Sequence, residues 1–245
     1  MSKPIITSSL LHADCTVVIP TYNEYDNIRP IVRRILDEPR FRILVVDDNS
    51  PDGTGQVIEE LSRDEPRLGL LSRAGKQGLG SAYVAGFQRA LQEGASYIFE
   101  MDADFSHDPR YLPRLLEAAE CHYDLVIGSR YVRGGKTTDW GAVRQFISRG
   151  GNLYAGLILG LGIADSTSGF RCYRRAVLET VELQRVRSNG YSFQIEMVYR
   201  ARQAGFRIGE LPITFPDRRV GKSKMSRRIV IEAIINVWRM RLGII

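Results

Sequence analysis

The stretch Ile98-Phe99-Glu100-Met101-Asp102-Ala103-Asp104-Phe105-Ser106-His107-Asp108-Pro109 constrains this chain more than any other. Tyr97 to Met101 is mostly apolar and β-prone, with helix-forming residues before it and a proline after. That pattern predicts a buried central strand of a mostly parallel sheet, covered on both faces. Two carboxylates follow at the strand's carboxyl end, the edge where open α/β sheets bind ligands. Carboxylates this close repel unless a cation sits between them, or between one of them and a phosphate. Hard oxygen ligands suit Mg²⁺ or Mn²⁺, which keep coordination positions open for substrate phosphate. The alternative is local: Asp104 caps the next helix, with Asp108-Pro109 as its first turn.

The 245-residue chain is long enough for one α/β domain with a full core. No apolar run reaches membrane-spanning length, and the N-terminus lacks the charged-then-apolar design of a signal peptide. Cys15, Cys121 and Cys172 have no metal-like spacing and are expected to be reduced, buried small residues in a cytosolic compartment. The net charge of +6 sits in the tail. From Arg218 onward stand eight basic residues and one acid, Glu232, so that segment carries +7 and the rest −1. Such a cluster suits nucleic acid, an anionic membrane surface or a phosphorylated substrate.

Taken in order, residues 1–14 read as a short lead. Strands are expected at Cys15–Ile19, Arg42–Val46, Leu68–Leu71, Tyr97–Met101, Tyr123–Ile127, Phe170–Tyr173 and Ile208–Phe215. Helical spacing falls between them, and 133–141 and 217–228 read as loops. The alternation implies one α/β unit over 15–228, with a last helix over 229–245. At least four strand ends carry polar groups: Tyr22/Glu24, Asp47/Asp48, Asp102/Asp104 and Ser129/Arg130. Four on one rim suggest a site. An Asx-turn is expected to take one residue of the second set, through Asp47 or Asn49. Gly75, Gly78 and Gly80 fit no dinucleotide or Walker pattern and read as a tight turn into a helix. His107 reads as a surface or capping residue.

The ordered blocks Val17-Val18-Ile19-Pro20-Thr21-Tyr22-Asn23-Glu24, Val45-Val46-Asp47-Asp48-Asn49-Ser50-Pro51-Asp52-Gly53-Thr54, Gly78-Leu79-Gly80-Ser81-Ala82-Tyr83 and Met101-Asp102-Ala103-Asp104 resemble the family 2 glycosyltransferases of GT-A fold. Further on stand Ile147-Ser148-Arg149-Gly150-Gly151-Asn152, Ser168-Gly169-Phe170-Arg171, Gly190-Tyr191-Ser192-Phe193-Gln194-Ile195-Glu196-Met197 and the Asp217-Arg218 to Ser223-Lys224 segment. With these, the resemblance narrows to the dolichyl- and polyprenyl-phosphate mannosyltransferases, over roughly 15–228.

It implies a single Rossmann-like mixed sheet flanked by helices, and transfer of mannose from GDP-mannose to a dolichyl or polyprenyl phosphate with inversion. It places Pro20, Tyr22, Glu24, Val46 and Asp48 on the guanosine part of the donor. Asp102, Ala103 and Asp104 fall on the diphosphate and on Mg²⁺ or Mn²⁺, with Ser106 at a third metal position that carries Gln in some relatives. Arg130, Arg144 and Ser148 match acceptor-phosphate positions. Arg218 and Lys224 match donor-phosphate contacts on a closing loop. Asp104, Arg130, Arg218 and Lys224 are thus the expected catalytic group, and Glu196 is assigned to structural or sugar-positioning work.

The last helix presents Arg228, Glu232, Asn236 and Arg239 as one polar stripe on a wide apolar surface, suited to a membrane interface or to packing. The expected partners are GDP-mannose, the lipid phosphate and the cytoplasmic face of a membrane, with small membrane-anchoring subunits left open and no nucleic acid. That face is the endoplasmic reticulum in a eukaryote and the plasma membrane in a prokaryote. Two alternatives stand: another hexosyltransferase on the same lipid, and a non-catalytic nucleotide-sugar-binding or membrane adaptor protein.

Overall fold

The computed structural model describes residues 14–186, 188–216 and 227–244, and side chains from residue 232 onward in the last helix. Arg218 and Lys224 lie outside the described residues. The strands are β1 (Cys15–Thr21), β2 (Phe41–Asp47), β3 (Leu68–Ser72), β4 (Tyr97–Glu100), β5 (Leu125–Ser129), β6 (Lys136–Thr137), β7 (Arg171–Arg174), β8 (Ile208–Pro212) and β9 (Thr214–Phe215). The α-helices are α1 (Tyr25–Leu36), α2 (Thr54–Ser62), α3 (Leu79–Gln92), α4 (Leu112–Cys121), α5 (Ala142–Leu159), α6 (Arg175–Thr180), α7 (Gly190–Gln203) and α8 (Arg227–Arg241).

Seven strands form one sheet in the order β3-β2-β1-β4-β7-β5-β8, with β4 in the middle as its apolar run requires. All neighbours pair parallel except β7, which runs antiparallel between β4 and β5. The sheet is therefore mixed. Helices cover both faces, and two cores result. One carries Val18, Val46, Phe87, Tyr173 and Phe193; the other carries Val17, Ile19, Phe99, Leu115 and Phe170. Alternate residues of β1 thus point into opposite cores, as a strand buried on both faces must.

Three expectations shift. Strand β1 runs through Pro20 to Thr21 instead of stopping before the proline. The segment expected as one strand over 208–215 breaks at Ile213, so that β9 leaves the main sheet and pairs with β6. Part of the 133–141 loop is thereby ordered as β6. Helix α3 lies close to the sheet because Gly86 faces β1 and β2: a Cβ there would overlap Val18 Cγ1 and meet Val46 Cγ2 at 3.0 Å.

Candidate active site

The loops after β1, β2 and β4 all turn through a left-handed residue: Asn23 (φ 61°), Asn49 (φ 56°) and Phe105 (φ 60°). Asn tolerates that region; a bulky residue such as Phe adopts it only under tight constraint. The Phe105 turn lets Asp104 Oδ1 accept from Ser106 N at 3.1 Å and from Ser106 Oγ at 2.5 Å. Asp108, not Asp104, caps the following helical turn by accepting from Arg110 N. Asp104 is therefore left on the wall of a cavity of about 310 Å³.

That cavity gathers most of the residues singled out in the sequence. Pro20, Tyr22, Glu24, Asp48, Asp102, Ala103, Asp104, Arg130 and Arg144 all line it. Val46 does not; it is fully buried in the core. Ser106 is buried with its hydroxyl turned to Asp104 and is absent from the wall. Ser148 lines a second, adjoining cavity, where its Oγ meets the Tyr131 hydroxyl at 2.6 Å.

At one end, Asp47 and Asp48 divide their work. Asp47 is spent on the local turn, though through a bond three residues on and not the two of the expected Asx-turn: it accepts from Ser50 N at 2.9 Å and from Thr21 Oγ1 at 2.8 Å. Asp48 reaches the cavity and is held by Arg73 Nε at 2.5 Å and Nη2 at 2.9 Å. Lys76 Nζ sits 4.4 Å from the Tyr22 ring centroid. Neither Arg73 nor Lys76 was singled out from the sequence. The only available signal was basic residues in a glycine-rich segment after a strand.

In the middle, Asp102 Oδ1 accepts from the Tyr83 hydroxyl at 3.1 Å. His107 is buried rather than at the surface. Its Nδ1 accepts from Asp102 N at 3.0 Å, so the neutral ring carries its proton on Nε2. Phe170 stacks on this ring with centroids 4.9 Å apart. The histidine thus props the acidic loop.

Deeper, the fully buried Glu100 lies 3.8 Å from Arg171. Burial pushes the Glu100 carboxyl up to about 7, with Arg171 pulling the other way. Arg171 is also held by the carbonyl oxygens of Ser166, Ser168 and Gln194. Glu196 is fully buried, accepting from Ser188 N at 3.2 Å and Arg200 Nε at 2.8 Å. It lines neither cavity.

At the other end, Arg144 places its guanidinium carbon over Trp140, 3.9 Å from the ring centroid, while Asp165 grips Arg130. The adjoining cavity, about 340 Å³, is walled chiefly by Ile147, Tyr154, Ile195, Ile234 and Val237. Trp140, Thr167 and Tyr191 line both cavities, so the two share a boundary. A polar chamber with a carboxylate pair and two arginines thus abuts an apolar one between α5 and α8.

Asp102 and Asp104 supply two hard oxygen donors on the cavity wall, a set that suits Mg²⁺ or Mn²⁺ completed by water and phosphate oxygens. Among the described residues no cluster of three His, Cys, Asp or Glu side chains encloses an ion. The donor set therefore fits a cation shared with a ligand, not one caged by protein alone.

The fold and rim are those of a GT-A glycosyltransferase. A family model described as glycosyl transferase family 2 matches residues 16–182. An undecaprenyl-phosphate mannosyltransferase from Micrococcus luteus is 47% identical over 92% of this chain and 93% of its own. A polyprenol monophosphomannose synthase from Mycolicibacterium smegmatis is 48% identical over 92% of this chain and 86% of its own. Among solved structures, glucosyl-3-phosphoglycerate synthase from Mycobacterium tuberculosis, with Mn²⁺, uridine diphosphate and glucosyl-3-phosphoglycerate, superposes with a TM-score of 0.67. It covers 99% of this chain and 86% of its own at 18% identity, a likeness of fold. The chain belongs to the family 2 glycosyltransferases, in the group of the polyprenyl-phosphate mannosyltransferases.

Proposed function

We propose that the protein transfers mannose from GDP-mannose to a polyprenyl phosphate, with inversion, using Mg²⁺ or Mn²⁺ at a membrane face. The observation that carries this reading is the shared boundary of the two cavities, because a lipid phosphate needs an anion-binding chamber beside an apolar one. Relatives named for the same transfer support it.

The nucleoside would lie toward Tyr22, Glu24 and Asp48, and the diphosphate toward Asp102 and Asp104. A divalent ion held by those carboxylates would offset the charge developing on the leaving diphosphate. Arg130 and Arg144 would orient the incoming phosphate. A phosphate monoester, with a second pKa of about 6, arrives as an anion and needs orientation more than a general base. Its oxygen would form the bond to the sugar's anomeric carbon as the bond to GDP breaks, which inverts that centre.

Among the described residues, ten of the thirteen exposed large hydrophobic side chains lie on or just beyond two helices: Val143, Phe146, Ile147, Leu153 and Leu157 on α5, and Ile234, Ile235, Trp238, Leu242 and Ile244 at α8. Among the described residues no helix is long and apolar enough to cross a membrane. That apolar face, together with exposed Arg149, Arg239 and Arg241, suits an anionic bilayer surface on which the protein would lie. The test is to incubate the protein with a panel of radiolabelled sugar nucleotides, a short polyprenyl phosphate and either ion. Mannosyl-lipid formed only from GDP-mannose supports the reading; a preference for another donor overturns the sugar, and no transfer with any donor overturns the enzyme reading.

A further inference from the structure

Arg130 stands just beyond β5 with a side chain 5% exposed, and the fully buried Asp165 holds it along one edge. Asp165 Oδ2 accepts from Arg130 Nε at 2.7 Å and from its backbone N at 2.9 Å; Oδ1 accepts from Nη2 at 2.6 Å. Nη2 also donates to Thr167 Oγ1 at 2.8 Å. The rings of Tyr131, Trp140 and Phe215 lie 5.2, 5.5 and 5.3 Å from the guanidinium carbon. Nη1 makes no hydrogen bond to a described residue, although Arg130 lines the polar cavity.

The carboxylate doing this is itself fixed. Glu210 on β8 accepts from Ala164 N at 2.7 Å and Asp165 N at 2.9 Å. Asn152 on α5 donates to Thr167 Oγ1 at 3.1 Å and accepts from Ser166 Oγ at 2.9 Å and from Thr167 N at 3.2 Å. A strand and a helix therefore pin the loop from both sides.

We propose that Asp165 is a positioning residue for the acceptor phosphate: by taking the Nε and Nη2 edge of Arg130, it leaves Nη1 as the corner that meets the incoming monoester. This rests on the acceptor reading of Arg130 given above. An arginine edge satisfied by a carboxylate cannot also form a fork to phosphate, so contact passes through the opposite corner. The clamp also removes the rotamer freedom that a long side chain would otherwise lose on binding. The acceptor then meets a group already in place.

The experiment is a double-mutant cycle of Asp165→Asn and Arg130→Ala, with KM measured separately for a short soluble polyprenyl phosphate and for GDP-mannose. Asp165→Asn is expected to raise the acceptor KM about tenfold, equivalent to about 1.4 kcal/mol, with the donor KM near wild type and the melting temperature lowered, because the buried guanidinium loses its counter-charge. In the Arg130→Ala background the same substitution should add nothing, because Asp165 acts through that arginine. An unchanged acceptor KM in Asp165→Asn, or full additivity, overturns the positioning role while leaving the acceptor reading standing. If Arg130→Ala itself leaves the acceptor KM unchanged, the acceptor reading fails and this role with it. Should Asp165→Asn not accumulate folded, Thr167→Val removes one acceptor from Nη2 and is expected to raise the acceptor KM about threefold. No rise there overturns the proposal equally.

Discussion

Asp104 and Glu100 show how two residues of one segment, four positions apart, can carry opposite charge logic. Asp104 is on the cavity wall and accepts from Ser106 N and Oγ. Asp104→Asn should therefore keep the fold but nearly abolish transfer, since a neutral amide cannot balance a cation against the diphosphate. Turnover at the wild-type rate, or undiminished turnover in excess chelator, would rule out the metal assignment. Glu100 is walled off, and burial raises its carboxyl to about 7. A raised carboxyl binds more protons folded than unfolded, so its contribution to stability is fully present below the ordinary value of 4.5. It is lost as pH climbs through about 7. The stability of Glu100→Gln relative to wild type, melted in chelator, should thus shift in the variant's favour between pH about 5 and about 8; equal differences at both would contradict this. Arg144, over the Trp140 ring, is expected to act on the acceptor: Arg144→Ala should weaken use of lipid phosphate more than binding of GDP. Equal losses in both would place it on the donor. That Asp102, Asp104 and Arg130 meet on one cavity was legible because each follows a strand end that the pattern carried to one rim, whereas Arg144 came from the family resemblance alone. Arg73 and Asp165 were not legible. Each completes its partner across 25 and 35 residues of chain, a pairing that only the order of strands decides.

At the scale of elements, periodicity located every strand of the main sheet but not how each pairs. Nothing in Phe170–Tyr173 marks β7 as antiparallel, because a strand buried on both faces carries the same apolar run in either direction. The break at Ile213 was equally hidden, since a single residue moves Thr214 and Phe215 to another sheet without disturbing the β-prone pattern. The last helix was read as carrying a polar stripe, yet Asn236 is buried beside Val237 and Met240 where α8 packs on α5 and α7. Packing and exposure divide the helix between them: one face joins the core and the other holds Ile234, Ile235 and Trp238 in the open. Close approach of α3 to the sheet gives a direct test of element packing. Gly86→Ala forces a methyl onto Val18 and should cost about 1–3 kcal/mol. For a chain of this size that lowers the melting temperature by about 2–4 °C per kcal/mol. An unchanged melt would mean that the helix has room to lift.

For the whole molecule, the arrangement of charge and apolar surface separates two demands on the same acceptor. On the proposed reading the phosphate would reach Arg130 and Arg144 inside a polar chamber, while its hydrocarbon tail cannot leave an apolar environment without cost. The chamber's apolar neighbour opens between α5 and α8, the two helices whose outer faces expose Phe146, Leu153, Leu157 and Trp238. A bilayer meeting those faces would bring the lipid to the cavity mouth without first extracting it into water. The surface and the chamber should therefore be separable by mutation. Phe146→Ser with Trp238→Ser removes two large side chains from the outer face, each worth roughly 1.5–3 kcal/mol when fully buried. Binding to vesicles containing anionic lipid should fall at least about tenfold, and transfer to a long-chain polyprenyl phosphate in those vesicles should fall with it. Transfer to a short soluble polyprenyl phosphate should stay near wild type, because neither side chain lines either cavity. Loss of both activities together would mean that the outer face serves the fold or the site instead. Retention of both would mean that the protein reaches its lipid without this surface.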